Sequence, residues 1–378
     1  MSREFEIRQI EIIPCRLPLR EPFVIAYARQ DDIPTVLVRV TTEGGLTGWG
    51  EATPDPNVTG ESYHATTAVL QHELAPTLLG HDARDRETAL AKVDARVDAV
   101  PAAKAGLDIA LHDLVARAYG LPLWTLLSGR SKPYLQISRV VSMKAPEAMA
   151  KDALQHVADG FQTVKLKVGE GANWRRDVER IAAVRAAVGR EIKIKVDVNQ
   201  GWKTPGNAIP AIRAALASSP EYIEQPVDQH DIEALAEVRR QTGATIMADE
   251  CVHGPREMQR VVALRAADLV NIKLMKTGGI LNALKTNAIA EAAGIRAQIG
   301  TMVESSIASA AGLHVAMAMA NVQTVEMGGP LMITEEVGDL RACYDKDKIT
   351  LPDKPGLGVE IDAAAVKRFS EAWITISA

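Results

Sequence analysis

Along the first fifty residues apolar and polar positions alternate with a period of two. EIRQIEII (6–13), TVLVRVTTEGG (35–45) and LTGWGEA (46–52) read as strands joined at a Gly-Gly turn, an antiparallel meander. The run from Met1 to Ile13 reads as the first of these strands. From about Thr66 to Ser128 the period changes to that of amphipathic helices, as in TAVLQHELAPTLL and KAGLDIALHDLVARAYG, with Gly120 and Pro122 as a stop. Strands followed by helices predict an α+β unit.

After about Leu135 short apolar runs alternate with helical stretches. The strand candidates are LQISRVVSM, QTVKLKV, IKIKVDV, YIEQP, TIMADE, LVNIKLM, IRAQIG and VQTVEM. Eight strands separated by about seven helices fit a closed parallel barrel. An open doubly wound sheet shows the same alternation, but no Gly-rich phosphate fingerprint sits at any strand-to-helix junction. The predicted fold class is therefore α/β, a (β/α)7β TIM-like barrel with an α+β capping unit. The expected division is 1–130 for the cap, 131–339 for the barrel, and 340–378 for a tail that packs back on the cap. The apolar stretch Ser305–Val322 is rich in Ala and holds His314, which suits a buried barrel helix better than a membrane span.

Composition narrows the function. With 378 residues, 47% apolar and 24% charged, the chain can bury a large core. A net charge of −5 without a basic stripe argues against nucleic acid or anionic lipid as partner. Cys15, Cys251 and Cys343 have no metal-ligand spacing, and the N-terminal run lacks the apolar core of a signal peptide, so a cytoplasmic setting is expected. Cys251 is expected to serve packing. The expected partners are a small-molecule carboxylate and further copies of the chain.

In parallel barrels the carboxyl ends of the strands carry the chemistry. Asp197 ends IKIKVDV, Glu224 ends YIEQP and Asp249 ends TIMADE, three carboxylates at one level on consecutive strands. Adjacent strands lie about 4.8 Å apart, close enough for the three to converge on one hard cation. Oxygen-only ligands point to Mg²⁺, with Mn²⁺ as a substitute. Asn199, Gln225 and Glu250 flank them as candidate hydrogen-bond partners. Lys165 and Lys167 share a face of one strand. At about 7 Å and an effective dielectric near 20 their charges repel by about 2.4 kcal/mol, which pushes one toward a usable base. Lys273, in VNIKLMKTGG, belongs on the opposite side of the barrel, whereas Lys276 reads as a surface charge with an apolar stem. His230 and His253 have no spacing that would make a zinc site.

With TVKLKVG, VDVNQGW, YIEQP, MADE, NIKLMKTGG, GGPLMITEE and PGLGVEID in one chain, the sequence resembles the enolase superfamily, in its muconate lactonizing enzyme subgroup, over nearly its whole length. The resemblance implies Asp197, Glu224 and Asp249 as metal ligands, Lys167 and Lys273 as an acid/base pair and Lys165 in support. It implies removal of the proton next to a carboxylate, with the metal steadying the enediolate. The histidine that the mandelate racemase subgroup uses near the seventh strand has no counterpart in AQIGTMVESS. The resemblance further implies that two cap loops, about Pro22–Asp32 and Thr53–Tyr63, cover the barrel, with Tyr27, Arg29 and VTGES as candidate substrate contacts. Arg139 is a candidate partner for a second substrate carboxylate. Dipeptide epimerases are the nearest pattern, yet they carry Asp-x-Asp at the eighth strand where this chain has Glu326-Met327-Gly328. Glu326 matches the acid of muconate cycloisomerases. An epimerase or racemase of an N-acyl amino acid or dipeptide is the expected activity; a muconate-type cycloisomerase and a hydroxy-acid dehydratase are the alternatives.

Overall fold

The computed structural model describes residues 3–377; Met1 and Ser2, the head of the expected first strand, lie outside the described residues. β1 (Ile7–Val24), β2 (Arg29–Thr42) and β3 (Thr47–Ala52) form the expected meander, and the strand Ile374–Ser377 pairs with the other edge of β1. Alternation turns Ile10, Ile12, Val36, Val38 and Val40 into one core with helices α1 (Tyr63–Val69), α2 (Arg86–Arg96) and α3 (Pro101–Ala118). Close packing of α3 on β3 depends on Gly48 and Gly50. A Cβ at Gly50 would stand 1.9 Å from the carbonyl oxygen of Gly106, so no side chain fits.

One expectation is corrected in the cap. Residues 22–32 are not an open loop: β1 and β2 pair out to Val24 and Arg29, so the segment is the tip of a long hairpin. The run continues because Phe23 and Ile25 have a buried surface to meet. Residues 53–63 form a tight turn, in which the carbonyl of Asp55 accepts the amides of Val58, Thr59 and Gly60.

The barrel strands follow one another in space as in sequence: β4 (Arg139–Val141), β5 (Thr163–Lys167), β6 (Lys193–Asp197), β7 (Ile223–Glu224), β8 (Ile246–Ala248), β9 (Leu269–Ile272), β10 (Arg296–Ile299) and β11 (Val322–Val325). A parallel bridge between Ile137, just ahead of β4, and Val325 in β11 joins the two edges of the curled sheet. Seven helices alternate with them: α4 (Pro146–Ala158), α5 (Trp174–Val188), α6 (Pro205–Ala215), α7 (Ile232–Thr242), α8 (Pro255–Leu264), α9 (Ile280–Ala292) and α10 (Ser306–Ala318). The outward faces, such as Val164, Leu166, Ile194 and Val196, are buried under these helices. Every residue of α10 is buried, and the His314 ring accepts the Trp124 amide at 3.1 Å on Nδ1 and donates from Nε2 to Leu357 at 3.0 Å. Burial pushes the His314 pKa down to about 4. No helix among the described residues is long and apolar enough to cross a membrane.

The inside of the barrel departs from the usual layers of Val, Ile and Leu. Lys165, Lys195, Tyr222 and Gln298 all lie inside it, fully buried. The tail reaches both parts of the molecule: Lys348–Ile349 pairs with Leu135–Gln136 at the barrel, and Ile374–Ser377 with β1.

Candidate active site

Asp197 and Glu224 end β6 and β7 and pair in register, and Asp249 follows β8 directly. All three are fully buried, and one oxygen from each lies within 4.8 Å of the others. Among the described residues this is the only such group of potential metal ligands. Glu224 Oε2 and both Asp249 carboxylate oxygens accept no hydrogen bond of good geometry. Burial, and the neighbouring charge of Asp197, push the Glu224 pKa well above the usual range despite Lys165. Hard oxygen donors with unfilled lone pairs, and one acid held against ionisation, form a ligand set that a divalent cation would complete.

Lysines surround the cluster. Lys167 Nζ is 2.6 Å from Asp197 Oδ2 and donates to Asn199 Oδ1 at 3.1 Å. Lys273 follows β9 and lies 2.8 Å from Asp249 Oδ2. β5 and β9 are separated in the sheet by β6, β7 and β8, so the two ammonium groups approach the carboxylates from opposite sides. Lys165 Nζ lies between Asp197 (2.9 Å), Glu224 (2.8 Å) and Glu326 (2.5 Å).

These contacts correct the expected effect of the paired lysines. Burial would lower Lys165, but Asp197, Glu224 and Glu326 outweigh both burial and the like charge and hold its pKa well above normal. Lys273 is likewise raised: burial lowers it and Asp249 and Glu250 win. On the acid side, burial would raise Asp197 and Asp249. Lys165 and Lys167 instead hold Asp197 at about 2, and Lys273 and Lys276 hold Asp249 well below the carboxylate range. Lys–Lys repulsion, about 2.4 kcal/mol, is the smaller term when each amine has a carboxylate under 3 Å away.

Neighbouring residues fix these groups. The Asn199 amide N–H donates to Asp197 Oδ1 at 3.0 Å, and its side chain donates to Glu250 Oε1 at 3.1 Å. Gln225 Oε1 accepts the backbone N–H of Asp249 at 3.0 Å, which ties the ends of β7 and β8 together. Asn199 and Gln225 both have positive φ, 43° and 36°, a backbone strain concentrated at this rim. Burial and the Asp249 charge raise Glu250 to about 7.

The other expected residues divide. Tyr27, at the hairpin tip, lines the pocket above the cluster, and burial with the charges of Glu250 and Asp55 raises its hydroxyl pKa. Glu326 lines the pocket but is held from below, with Lys165 at 2.5 Å and the hydroxyls of Ser138 and Tyr222 at 3.4 Å. Of VTGES, Val58 reaches the pocket, while Glu61 accepts the first amides of α3 and Ser62 caps α1. Arg29 lies outside it, exposed and paired with Asp31 at 3.1 Å. Arg139, beside Ser138 on β4, also lines the pocket, and the charges of Glu21, Asp159 and Arg20 act on its guanidinium.

Sequence reasoning missed three residues. Lys276 is not a surface charge: it is fully buried, 2.6 Å from Asp249 Oδ1 and 3.0 Å from the Asn271 carbonyl. Asn271 donates to Glu224 Oε1 at 2.8 Å. Lys195 spans the barrel to Gln298 (2.9 Å), Ser138 and Thr324 (both 3.2 Å). Its place two residues before Asp197 on the same strand face was a readable signal. Cys251 is buried, its thiol pushed up to about 12 by burial, as packing requires.

Comparison with known proteins extends over the whole arrangement. Residues 7–128 match the mandelate racemase / muconate lactonizing enzyme N-terminal domain, and residues 148–365 match the enolase C-terminal domain-like family. The chain is 43% identical over 357 residues to the N-succinyl-L-Arg/Lys racemase of Bacillus cereus, covering 94% of this chain and 96% of that one. The crystal structure of that racemase superposes with a TM-score of 0.96 at 42% identity, over 98% of this chain and all of the other. The L-Ala-D/L-Glu epimerase of Bacillus subtilis is 38% identical, covering 96% and 98%. A dipeptide epimerase from Cytophaga hutchinsonii, complexed with Mg and the dipeptide D-Ala-L-Val, superposes with a TM-score of 0.93 at 31% identity, over 98% of this chain and all of that one.

Proposed function

Since this chain belongs to the mandelate racemase/muconate lactonizing enzyme family of the enolase superfamily and is one of its isomerases, we propose that it inverts the α-carbon of an N-acylated amino acid, with Asp197, Glu224 and Asp249 holding Mg²⁺. The observation that carries the reading is the pair of lysines, Lys167 and Lys273, on opposite sides of one carboxylate cluster. Mg²⁺ held there would supply positive charge to a substrate carboxylate and would draw off the Asp197 and Asp249 charge that keeps the neighbouring amines protonated. Lys167 and Lys273 hold and move the α-proton: the amine that has lost its proton on one face takes it, and the ammonium on the other returns one to the opposite face. Lys165 keeps Asp197, Glu224 and Glu326 in register, and Asn199 and Gln225 fix the strand ends. The hairpin tip, through Phe23, Ile25 and Tyr27, excludes water.

Two further observations favour an N-acyl substrate over a dipeptide. Glu326, the acid at the eighth strand, is already engaged by Lys165, which leaves no free carboxylate there for a substrate ammonium. The Bacillus cereus relative is an N-succinyl amino acid racemase. Asp55, buried in the pocket wall without an ion pair among the described residues, suits a cationic side chain.

The test is incubation with Mg²⁺ in D₂O against N-succinyl-arginine, N-succinyl-lysine, N-succinyl-phenylalanine and pooled dipeptides, reading α-deuterium by mass spectrometry. Exchange in the succinylated basic amino acids, lost for one enantiomer in Lys167→Ala and for the other in Lys273→Ala, is the expected result. Exchange confined to the dipeptides overturns the substrate class, and exchange intact in both variants overturns the two-base assignment.

A further inference from the structure

Outside the barrel, behind β4, a second cavity of about 370 Å³ is lined by Arg20, Arg139, Arg341 and Lys346, with Asp159 at its edge. That volume accepts a small ligand. Four cations face Asp159, with Glu21 acting on Arg139 and Glu336 on Arg341 from nearby, and none of the four makes a close ion pair among the described residues. Arg341 spends its donors on the carbonyls of Pro330 (2.8 Å) and Ile333 (2.6 Å), and Arg20 shares the latter at 3.3 Å. Arg139 and Lys346 donate to no described residue. Burial lowers the pKa of Arg139 and of Arg341; Glu21 and Asp159 oppose it at Arg139 and Glu336 at Arg341, while Arg20 adds to it at both. Guanidinium groups keep their charge nonetheless, so their forks stand ready for an oxyanion.

We propose that this cavity, which adjoins the catalytic pocket at Arg139, is an anion-binding site for a small oxyanion carrying two or more charges, of the phosphate or polycarboxylate kind. Two of its cations, Arg20 and Arg139, come from segments that also build the catalytic pocket wall, and a third, Arg341, bonds to such a segment. Arg20 lies on the hairpin arm that carries Phe23, Ile25 and Tyr27 into that pocket. Arg139 lies on β4 and, with its neighbours Ser138 and Val140, also lines the catalytic pocket. Arg341 holds the carbonyl next to Met332, which also lines it. A bound oxyanion thus clamps the hairpin to the barrel and stiffens the pocket wall from outside. The site is an effector site that does not contact the reacting atoms.

The experiment is calorimetric titration of the magnesium-loaded protein with inorganic phosphate and, separately, with tricarballylate, at ionic strength held constant with chloride. Amide hydrogen exchange over residues 20–30 is followed in the same samples. Saturable single-site binding by at least one anion is expected, weakened at least tenfold in the Arg20→Gln/Lys346→Gln double variant, with slower exchange across the hairpin at saturation. The anion that binds tighter identifies the phosphate or polycarboxylate source. No saturable binding by either, binding undiminished in the double variant, or unchanged hairpin exchange at saturation overturns the proposal. Because both substituted residues lie outside the catalytic pocket, α-deuterium exchange in the double variant reports on the catalytic reading separately.

Discussion

Buried carboxylates occur in two regions of this protein and are treated in opposite ways. Along the seam between cap and barrel, Glu51 accepts the Ser305 amide (2.9 Å), the Ser305 hydroxyl (2.6 Å) and the Ala308 amide (2.9 Å) at the start of α10. Asp108 of α3 accepts the Ile280 amide at the start of α9, and Asp113 receives the amides of Trp49 (2.9 Å) and Leu357 (2.8 Å). These acids meet helix N-termini and backbone donors, Asp113 together with the Arg117 guanidinium at 2.8 Å and Asp108 with one oxygen left unbonded, so fixed dipoles answer most of their charge. At the strand ends, Asp197, Glu224 and Asp249 meet mobile ammonium groups and each other, and oxygens are left without hydrogen bonds. The contrast teaches where each is useful: dipoles on the backbone cannot leave, which suits a joint, whereas ammonium partners can yield their place to a cation or a substrate.

The comparison breaks first at the cluster. Glu224→Gln is expected to lower turnover about 10³-fold. It also removes the stabilisation of about 3 kcal/mol that Mg²⁺ at a hundred times its Kd gives, read as a lost melting shift. The metal-free melting temperature stays level or rises, because the replaced acid is held against ionisation. A metal-free variant that melts well below wild type counts against the contrast.

Glu51→Ala should do the reverse. Leaving the Ser305 and Ala308 donors unpaired costs about 5 kcal/mol, at about 1–3 kcal/mol for each buried group, in urea unfolding. The Mg²⁺-dependent melting shift survives in what remains folded.

His314 sharpens the seam side through pH. Its folded pKa, about 4, lies below the ordinary 6.5, so the unfolded chain binds the extra proton. Its contribution is full above pH 6.5 and falls as pH drops from 6.5 toward 4, by about 3 kcal/mol in all. His314→Gln should flatten that part of the urea-stability profile, and a profile of unchanged slope would contradict the neutral, doubly bonded ring.

The smallest effect belongs to Arg29→Ala. An exposed pair with Asp31 contributes under about 1 kcal/mol, so stability and kcat/KM should change less than twofold. A tenfold loss in kcat/KM would return Arg29 to the substrate contacts.

The barrel was legible because each strand is short, apolar on the helix side and punctuated, and because the carboxylates fall at strand ends. The direction of the lysines on β5 was legible from the period of two. The hairpin was not, since strand pairing beyond Pro18 depends on Phe23 and Ile25 finding a surface that no local pattern announces. Lys276 was misread for a related reason. Its position after the strand looks like a surface position, and only the turn of Leu274–Thr277 aims it back at Asp249. Arg139 was legible as a cation of the first strand that reaches the pocket, but not the charges of Glu21, Asp159 and Arg20 around it, which come from other segments.

The strand Ile374–Ser377 closes the edge of a sheet whose first strand begins at Ile7. On a ribosome the partner of residues 9–12 therefore emerges only after the whole barrel has been made. The cap sheet passes through synthesis with that edge open. A nascent chain of this enzyme is most exposed to edge-to-edge aggregation along the strand Ile7–Val24 rather than at its newest residues, so overproduction should be limited by chaperone cover of that strand.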